Sequence, residues 1–375
     1  MYNKMSRLHE NINLDMMIDR VMNSYIMTHN EIMTLERLQE VVNLIACVGR
    51  SGANIDEYVS KRFQKYFENK KILDELVKIP VIEQKSEEWH RVRQTIITAS
   101  DFAQALGEGK FGTQNDFLHK KSGYKDIPFD ANCPPLKWGC MFEDVASAIY
   151  ERRNSAKVLP FGLIKHPSVA HFGASPDGIT TLGVMVEIKC PFKRKITNEV
   201  PNQYYYQIQG QLDVCGLDEC DYFECEFKCV PQTSDLVGMP EDVEIGCVLE
   251  GSAYTYSPVF VSDSKGIQEL DAWIKTNNVG YQKAHIWYLE FANTIRVYKD
   301  EPFIERKMEE LKGVWGRVEA YRADKDLYDR EIGDKSEKAL RKMGIQKEKD
   351  DKQQQHIKKL AGGSVIMSGY GFMDD

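Results

Sequence analysis

Three charged residues in one short stretch could carry out chemistry: Asp177, Glu187 and Lys189, in the sequence FGASPDGITTLGVMVEIKCP. Residues 184–189 alternate as a strand, which places Glu187 and Lys189 side by side on one face. If the segment at Asp177 pairs with this strand as a hairpin, two carboxylates and one ammonium group meet at one point. Mg²⁺ is usually held by one or two protein carboxylates, and a neighbouring lysine can orient or help deprotonate an attacking water. Two carboxylates that hold a metal ion and one lysine are the groups that phosphodiester hydrolysis requires.

An Asp, a gap of nine residues and then Glu-x-Lys is the PD-(D/E)xK nuclease pattern. The same residues also fit a charged turn beside a half-exposed strand, because Asp177-Gly178 and Gly183 bound a predicted turn region. The stretch alone leaves both interpretations open, so the elements around it have to decide.

Two predicted helices flank this stretch and could bring further polar groups to it. Apolar residues recur at helical period over residues 136–153, with Glu143 at the edge of the apolar stripe. Residues 201–216 predict a second helix, whose glutamines, among them Gln209, are expected on its surface. Such residues are usually solvated, although an amide can hydrogen-bond both an attacking water and a phosphate oxygen.

Basic residues lie on both sides of the stretch. Trp89 and Arg93 are four residues apart and are predicted to share a helix face, after which Thr98 or Ser100 could cap the next helix. The sequence FKRK at residues 192–195 follows the predicted strand after Cys190 and Pro191. This cluster is either a solvated face or, beside a phosphodiester site, a contact to a nucleic-acid backbone.

Composition limits the class of protein. With 375 residues, 42% of them hydrophobic and 28% charged, the chain is expected to fold and to bury a large core. The net charge of -8 argues against coating nucleic acid through overall charge, but it leaves room for a locally basic channel. We find no run of about 18 apolar residues and no signal-peptide core, so we expect an intracellular, soluble protein that does not enter a membrane.

Three regions follow from the patterning. Residues 1–80 predict a separable, all-helical N-terminal module that ends near Pro80. Residues 86–325 contain every motif above and predict one domain. Residues 330–375 are rich in charges and glutamines with few apolar side chains, and we expect a disordered tail.

Five blocks, in this order and spacing, resemble the lambda exonuclease (YqaJ-like viral recombinase) family of PD-(D/E)xK nucleases. The blocks are EWHRVRQTIITAS, LKWGCMFEDVASAIY, GASPDG, VEIKCPF and YYYQIQGQLDV. The resemblance covers about residues 86–322 and is specific, because the separate blocks agree with one another. It implies an α/β fold, with a restriction-endonuclease-like central mixed sheet flanked by helices and an added helical module at the N-terminus.

The resemblance also implies roles for individual residues. Metal-binding positions are Asp177, Glu187, the carbonyl of Ile188, and Glu143, and the metal is Mg²⁺, with Mn²⁺ as a substitute. Catalytic positions are Lys189, Glu143, Gln209, Asp177 and Glu187. Positions that bind the 5′-phosphate of DNA are Arg93, Ser100 and Ser175.

The activity implied is a 5′-to-3′ exonuclease on double-stranded DNA ends, in the recombination, repair or genome processing of a large DNA virus or phage. The resemblance further implies a ring-shaped homotrimer and a single-strand annealing protein as partner. Two alternatives remain open: a structure-specific or restriction-type endonuclease with the same metal site, and a non-catalytic DNA-binding protein that retains the fold.

Overall fold

The computed structural model describes residues 14–29, 55–82, 86–124 and 133–333, together with positions 34, 36, 37, 40 and 43. The chain divides into two compact units. The first takes residues 1–117 and 128–315, and the second takes residues 118–127 and 316–375. All the predicted site residues belong to the first unit.

The helices α1 to α10 are, in chain order, Leu14–His29, Ile55–Leu76, Glu87–Thr95, Phe102–Ala105, Gln114–Ser122, Pro134–Asn154, Asn202–Cys215, Ser264–Asn277, Glu301–Ala323 and Lys325–Tyr328. Short 3₁₀ turns occupy Ala99–Asp101 and Thr233–Leu236, and Asp329–Gly333 forms a π-helical turn. The strands β1 to β11 are Ile97–Thr98, Val158–Leu159, Ile164–Lys165, Phe172–Ala174, Gly178–Thr180, Met185–Lys189, Glu219–Val230, Glu244–Glu250, Tyr254–Tyr256, Phe260–Val261 and Lys283–Tyr298.

The main sheet is mixed and has the strand order β10-β8-β11-β7-β6-β5-β2, with β9 paired to β8. Strands β6 and β7 run parallel, and α7 makes the crossover between them. The other neighbours on this path are antiparallel. A small second sheet has the order β1-β4-β3. Together with the flanking helices, this confirms the α/β class and the mixed central sheet expected from the sequence.

The core between α6 and the main sheet fixes the strand that carries the predicted site. Apolar residues of α6 recur at helical period, so that Phe142 and Ile149 are fully buried. Phe142 stacks on Phe227 of β7, with 4.5 Å between ring centroids. Val186 and Ile188 point from β6 into the same cluster. Because side chains alternate along a strand, Glu187 and Lys189 must then face the other side of the sheet.

The N-terminal helices α1 and α2 pack on the turn of the β5–β6 hairpin. Ile18, Val59 and Phe63 form an apolar cluster with Leu182 of that turn. The neighbouring Gly183 has φ +76, and an added Cβ there would lie 2.5 Å from the Cβ of Asn69 on α2. Only glycine therefore suits both the turn and this close approach. The predicted helical character is confirmed for these two segments, whereas the domain boundary near residue 80 stays a prediction.

The second unit has contacts of its own. The guanidinium of Arg322 donates two hydrogen bonds to the carbonyl of Lys121, at 2.7 and 3.0 Å. The Nδ1 atom of His119 lies 2.8 Å from the hydroxyl of Tyr328. The predicted disordered tail falls, from residue 334 onward, outside the described residues. No helix among the described residues is long and apolar enough to cross a membrane.

Two local expectations were wrong. The segment after Asp177 is not all turn, because residues 178–180 form β5 and the turn is confined to residues 181–183. Thr98 precedes a 3₁₀ turn without capping it through its side chain, because its hydroxyl donates to the carboxylate of Asp101 instead, at 2.9 Å.

Candidate active site

Strand β6 places Glu187 and Lys189 on one face, as its alternation predicts. The Lys189 ammonium donates a hydrogen bond to Oε1 of Glu187. Glu187 is fully buried, so its charge would be costly without a partner. Burial opposes the charge on Lys189, but Glu187 and Asp177 outweigh burial and raise the lysine pKa. Lys189 is therefore a fixed ammonium group, which can donate hydrogen bonds and stabilise negative charge.

Asp177 reaches the same point through the predicted hairpin. Gly178 of β5 pairs with Val186 of β6, and the backbone N–H of Ile188 donates to Oδ2 of Asp177 at 2.7 Å. Burial and the charge of Glu187 raise the pKa of Asp177 well above its usual value, although Lys189 acts in the opposite direction. The structure thus brings the two carboxylates and the lysine together, and their negative charge is only partly compensated.

Glu143 approaches this group from α6. It is half-buried, and its charge also raises the pKa of Asp177, by less than burial and Glu187 do. Its charge likewise raises the pKa of the buried Cys190 thiol, for which burial is the largest cause. The edge of the apolar stripe on α6 therefore faces the site. Glu143 lies at that edge, so its carboxylate can contribute to the site.

Helix α7 supplies two glutamines that the sequence analysis did not select. Gln207 donates to Oε1 of Glu187 at 2.6 Å, and Gln211 donates to Oε2 at 2.8 Å. They are four residues apart, so they share one helix face. The signal was present in the sequence, because any helix with Gln207 at the site also brings Gln211 there.

Gln209 lies on another face of the same helix, and the structure does not bring its amide to Glu187. Its Nε2 donates to the carbonyl of Tyr298 at 2.8 Å, and its Oε1 accepts from the N–H of Asp300 at 2.8 Å. Gln209 is fully buried and not on the helix surface, where the sequence led us to expect it. Its amide pairs backbone groups at the end of β11, so its predicted catalytic role does not follow from the geometry.

The donor set fits a hard divalent cation. Among the described residues, no three Asp, Glu, His or Cys side chains form a ready-made metal cage. Mg²⁺ does not require one, since it binds through one or two carboxylates and keeps water and substrate oxygens as its other ligands. Burial is the largest cause of the raised pKa of Asp177, and Glu187 and Glu143 add to it by repulsion, which a cation bound at these three carboxylates would relieve.

Arg93 and Ser100 meet beside β1, at the edge of the small sheet. The Arg93 guanidinium lies 4.2 Å from the ring centroid of Trp89, which confirms their shared face, and donates to the Ser100 hydroxyl at 3.3 Å. Burial lowers the pKa of Arg93, and Asp101 opposes this.

The strand register places Ser175 at the same end of the small sheet as Ser100. Strands β1 and β4 are parallel with Thr98 opposite Gly173, so Ser100 and Ser175 each follow two residues later at the same end. Within the described ranges, the buried Ser175 hydroxyl has no hydrogen-bond partner. A buried hydroxyl left in this way is an available donor for a ligand.

A second charged pair lies beside Lys189 and was missed from the sequence. Arg194, from the FKRK cluster, donates to Oε1 of the fully buried Glu224 on β7. The Tyr222 hydroxyl donates to the same oxygen at 2.8 Å. Glu224 is the register partner of Lys189 across the parallel β6–β7 pair.

Residues 88–218 match the sequence model of the family described as the YqaJ-like viral recombinase domain. Over this range the chain is similar to that family. The resemblance seen in the sequence motifs is thereby confirmed, and the matched range contains Asp177, Glu187, Lys189 and the two glutamines of α7.

Viral proteins are among the relatives of this chain. It is 26% identical to an uncharacterized protein of Acanthamoeba polyphaga mimivirus, over 69% of this chain and 57% of that protein. It is 30% identical to a protein of African swine fever virus, over 35% of this chain and 46% of that protein. The chain thus spans about half the length of these relatives.

Solved structures with some likeness include an alkaline exonuclease from Laribacter hongkongensis. It is 20% identical, with a TM-score of 0.41, and the match covers 64% of this chain and 95% of that one. A phage-related exonuclease from Haemophilus somnus 129PT is 12% identical, with a TM-score of 0.35, and the match covers 61% of this chain and 95% of that one.

Proposed function

We propose that this chain is a Mg²⁺-dependent deoxyribonuclease that hydrolyses phosphodiester bonds of duplex DNA. The observation that carries the proposal is the convergence of Asp177, Glu187 and Lys189 on one hairpin within the YqaJ-like domain. Carboxylates that bind a hard cation, beside a fixed ammonium group, are what phosphodiester hydrolysis needs. A non-catalytic protein that merely retained the fold would have no need for a buried charge group of this kind.

We further propose that the enzyme is a 5′-to-3′ exonuclease. Arg93, Ser100 and Ser175 support this, because a guanidinium with neighbouring hydroxyl donors suits a terminal phosphate. The cellular setting that we propose is recombination, repair or genome processing of a DNA virus inside its host cell. A ring-shaped homotrimer around DNA and a single-strand annealing partner belong to the same proposal, and light scattering of the purified protein tests the trimer.

Asp177, Glu187, Glu143 and the Ile188 carbonyl are the groups that would hold the cation. When bound, Mg²⁺ or Mn²⁺ would supply a Lewis acid that stabilises the charge developing on the phosphoryl oxygens. The chain's own groups prepare the site. Gln207 and Gln211 fix both oxygens of Glu187. Lys189 can donate a hydrogen bond to the attacking water and hold it in line with the phosphorus.

The decisive experiment compares linear duplex DNA, labelled at either end, with covalently closed circular DNA in Mg²⁺. We expect only the linear DNA to be degraded, with loss of the strand that begins at the 5′ end. The variant Lys189→Ala should lower turnover about 100- to 10,000-fold while DNA binding persists. The matched control is Lys193→Ala, which removes an exposed lysine four residues away and should retain activity. Cutting of the circle at an equal rate would favour the endonuclease alternative instead.

The metal assignment has a separate test. Asp177→Asn keeps the shape of the side chain but supplies less charge to a hard cation. We expect this variant to require more Mg²⁺ for half-maximal activity and to bind Mg²⁺ more weakly by calorimetry. A Mg²⁺ titration identical to that of the wild type would remove Asp177 from the metal site.

A further inference from the structure

We infer that Arg194 is a second phosphate-binding residue, which contacts a DNA backbone phosphate next to the one being cut, and that Glu224 is its positioning residue. This inference rests on the proposed nuclease function. It gives one residue of the FKRK cluster, Arg194, the role of binding a phosphate. It also adds Glu224, a buried residue of β7, to the site.

The argument begins with two matching pairs on adjacent strands. Glu187 of β6 and Glu224 of β7 are both fully buried, and each accepts a hydrogen bond from one cation. The two cations are the more accessible partners, with side-chain exposures of 22% for Lys189 and 31% for Arg194. In both pairs a carboxylate inside the protein therefore holds a positive group that faces outward.

Both cations lie beside the ring of Tyr204. The Lys189 ammonium lies 5.2 Å from the ring centroid of Tyr204, and the Arg194 guanidinium carbon lies 5.9 Å from the same centroid. Tyr204 is on the face of α7 that also carries Gln207, one turn further along. A DNA strand presents one charge about every 3.4 Å of helix axis, so cations that share one ring can contact neighbouring phosphates.

Arg194 keeps donors for a ligand. Its Nη2 is used by Glu224, and its Nη1 makes a long contact of 3.4 Å to the carbonyl of Lys195. A guanidinium has five N–H donors in a fixed plane, so one edge can pair with a carboxylate while another pairs with phosphate oxygens. Burial opposes the charge on Arg194, and the hydrogen bond from Arg194 to Glu224, with the charge of that carboxylate, outweighs burial and raises the pKa.

The surroundings of Glu224 indicate a role beyond stabilising the fold. Its Oε1 receives both Arg194 and the hydroxyl of Tyr222, whereas its Oε2 is buried and has no hydrogen-bond partner in the part of the chain described. A carboxylate in this position is poorly compensated, which is costly for stability alone. The cost is understandable if the carboxylate fixes the guanidinium in the orientation that binds a phosphate.

The test uses duplexes in which one neutral methylphosphonate replaces a phosphate at successive positions of the cut strand. For wild-type protein, we expect cleavage to slow about 10- to 100-fold when the linkage that Arg194 contacts is neutral, as for loss of one charge-assisted hydrogen bond. Arg194→Ala should cut slowly on every substrate and show no further loss at that linkage. Glu224→Gln should reduce the same sensitivity without abolishing it.

Lys193→Ala is the matched control, because it removes one positive charge from the same cluster. It should keep the wild-type methylphosphonate profile. If Arg194→Ala keeps that profile too, or if Lys193→Ala loses it equally, the inference is overturned. A role of Glu224 in stability alone would lower the melting temperature of Glu224→Gln and leave the profile unchanged, which also counts against the inference.

Arg194→Ala leaves a buried carboxylate without its cation and can fail to fold. The double variant Arg194→Ala/Glu224→Gln removes that charge, and its methylphosphonate profile can be measured in the same way. DNA binding in Ca²⁺, without turnover, gives an independent measure, since the slope of log Kd against log salt should fall by about 0.9 for one lost phosphate contact. If wild-type protein cuts no substrate, the proposed function fails, and this binding slope still decides whether Arg194 contacts phosphate.

Discussion

Arg62→Met should destabilise the fold more than any change to an exposed charge on the same helix. Arg62 of α2 is 7% exposed and donates two hydrogen bonds to Asp19 of α1, at 2.6 and 2.8 Å. A further N–H donates to Glu219 of β7. Arg296 of β11 binds Asp19 and Glu219 as well, so the four residues form one buried network between the N-terminal helices and the sheet.

The magnitude follows from the charge that the variant leaves behind. Removing one partner of a buried ion pair typically costs about 3–5 kcal/mol. The pKa of Glu219 gives a similar figure: burial raises it, but Arg62 and Arg296 outweigh burial and lower it from 4.5 to about 2. At about 1.4 kcal/mol for each pKa unit, this change corresponds to roughly 3.5 kcal/mol, to which Arg62 and Arg296 both contribute. We therefore expect Arg62→Met to lose about 3–5 kcal/mol at pH 7.

The assay is urea unfolding at pH 7 and at pH 3. The folded pKa of Glu219 is depressed, so its stabilisation is present above about pH 4.5 and is lost as the pH falls towards 2. The deficit of Arg62→Met should therefore shrink at pH 3. Lys61→Met is the control, because Lys61 is exposed and its pair with Glu57 is worth less than about 1 kcal/mol. Equal losses in the two variants, or a deficit that does not change with pH, would refute the reasoning.

Further outcomes follow from the other contacts. A 5′-phosphorylated duplex should be degraded faster than the same duplex with a 5′-hydroxyl, and Arg93→Ala should remove most of this preference, as the ratio of initial rates will show. Deleting residues 1–80, which from the sequence alone we expect to leave a soluble nuclease, should instead lower thermal stability and activity together, because the hairpin turn and the buried network lose their partners. Gln209→Ala should destabilise by about 1–3 kcal/mol in urea while the remaining folded protein stays active, whereas Gln207→Ala should reduce turnover with little change in unfolding.

Local pattern was enough to predict the strand that carries Glu187 and Lys189. The alternation around Glu187 and Lys189 determines their common face without reference to any distant residue. The hairpin with Asp177 also follows from a short segment, because Gly183 supplies a turn between two stretches that can pair. These inferences succeeded because every contact they require lies within about a dozen residues of sequence.

Contacts between distant segments were not predicted. The sequence analysis assigned no element to residues 231–282, yet these form β8, β9, β10 and α8. It also did not foresee that Asp19 and Arg62 of the N-terminal helices pair with Glu219 and Arg296. Charged residues on a helix are normally solvated, so nothing in the local pattern distinguishes the two that enter a buried network.

Glu224 shows a more specific reason why part of the site stayed hidden. Its strand alternates Tyr222 and Glu224 against Phe223 and Cys225, a pattern that suggests one polar face towards solvent. Both faces are in fact buried, because β7 pairs in parallel with β6 and the crossover helix α7 covers the second face. A buried carboxylate on such a strand needs a nearby cation to compensate its charge. The nearest basic residues after the neighbouring strand are those of FKRK, so the parallel register itself leads to Arg194.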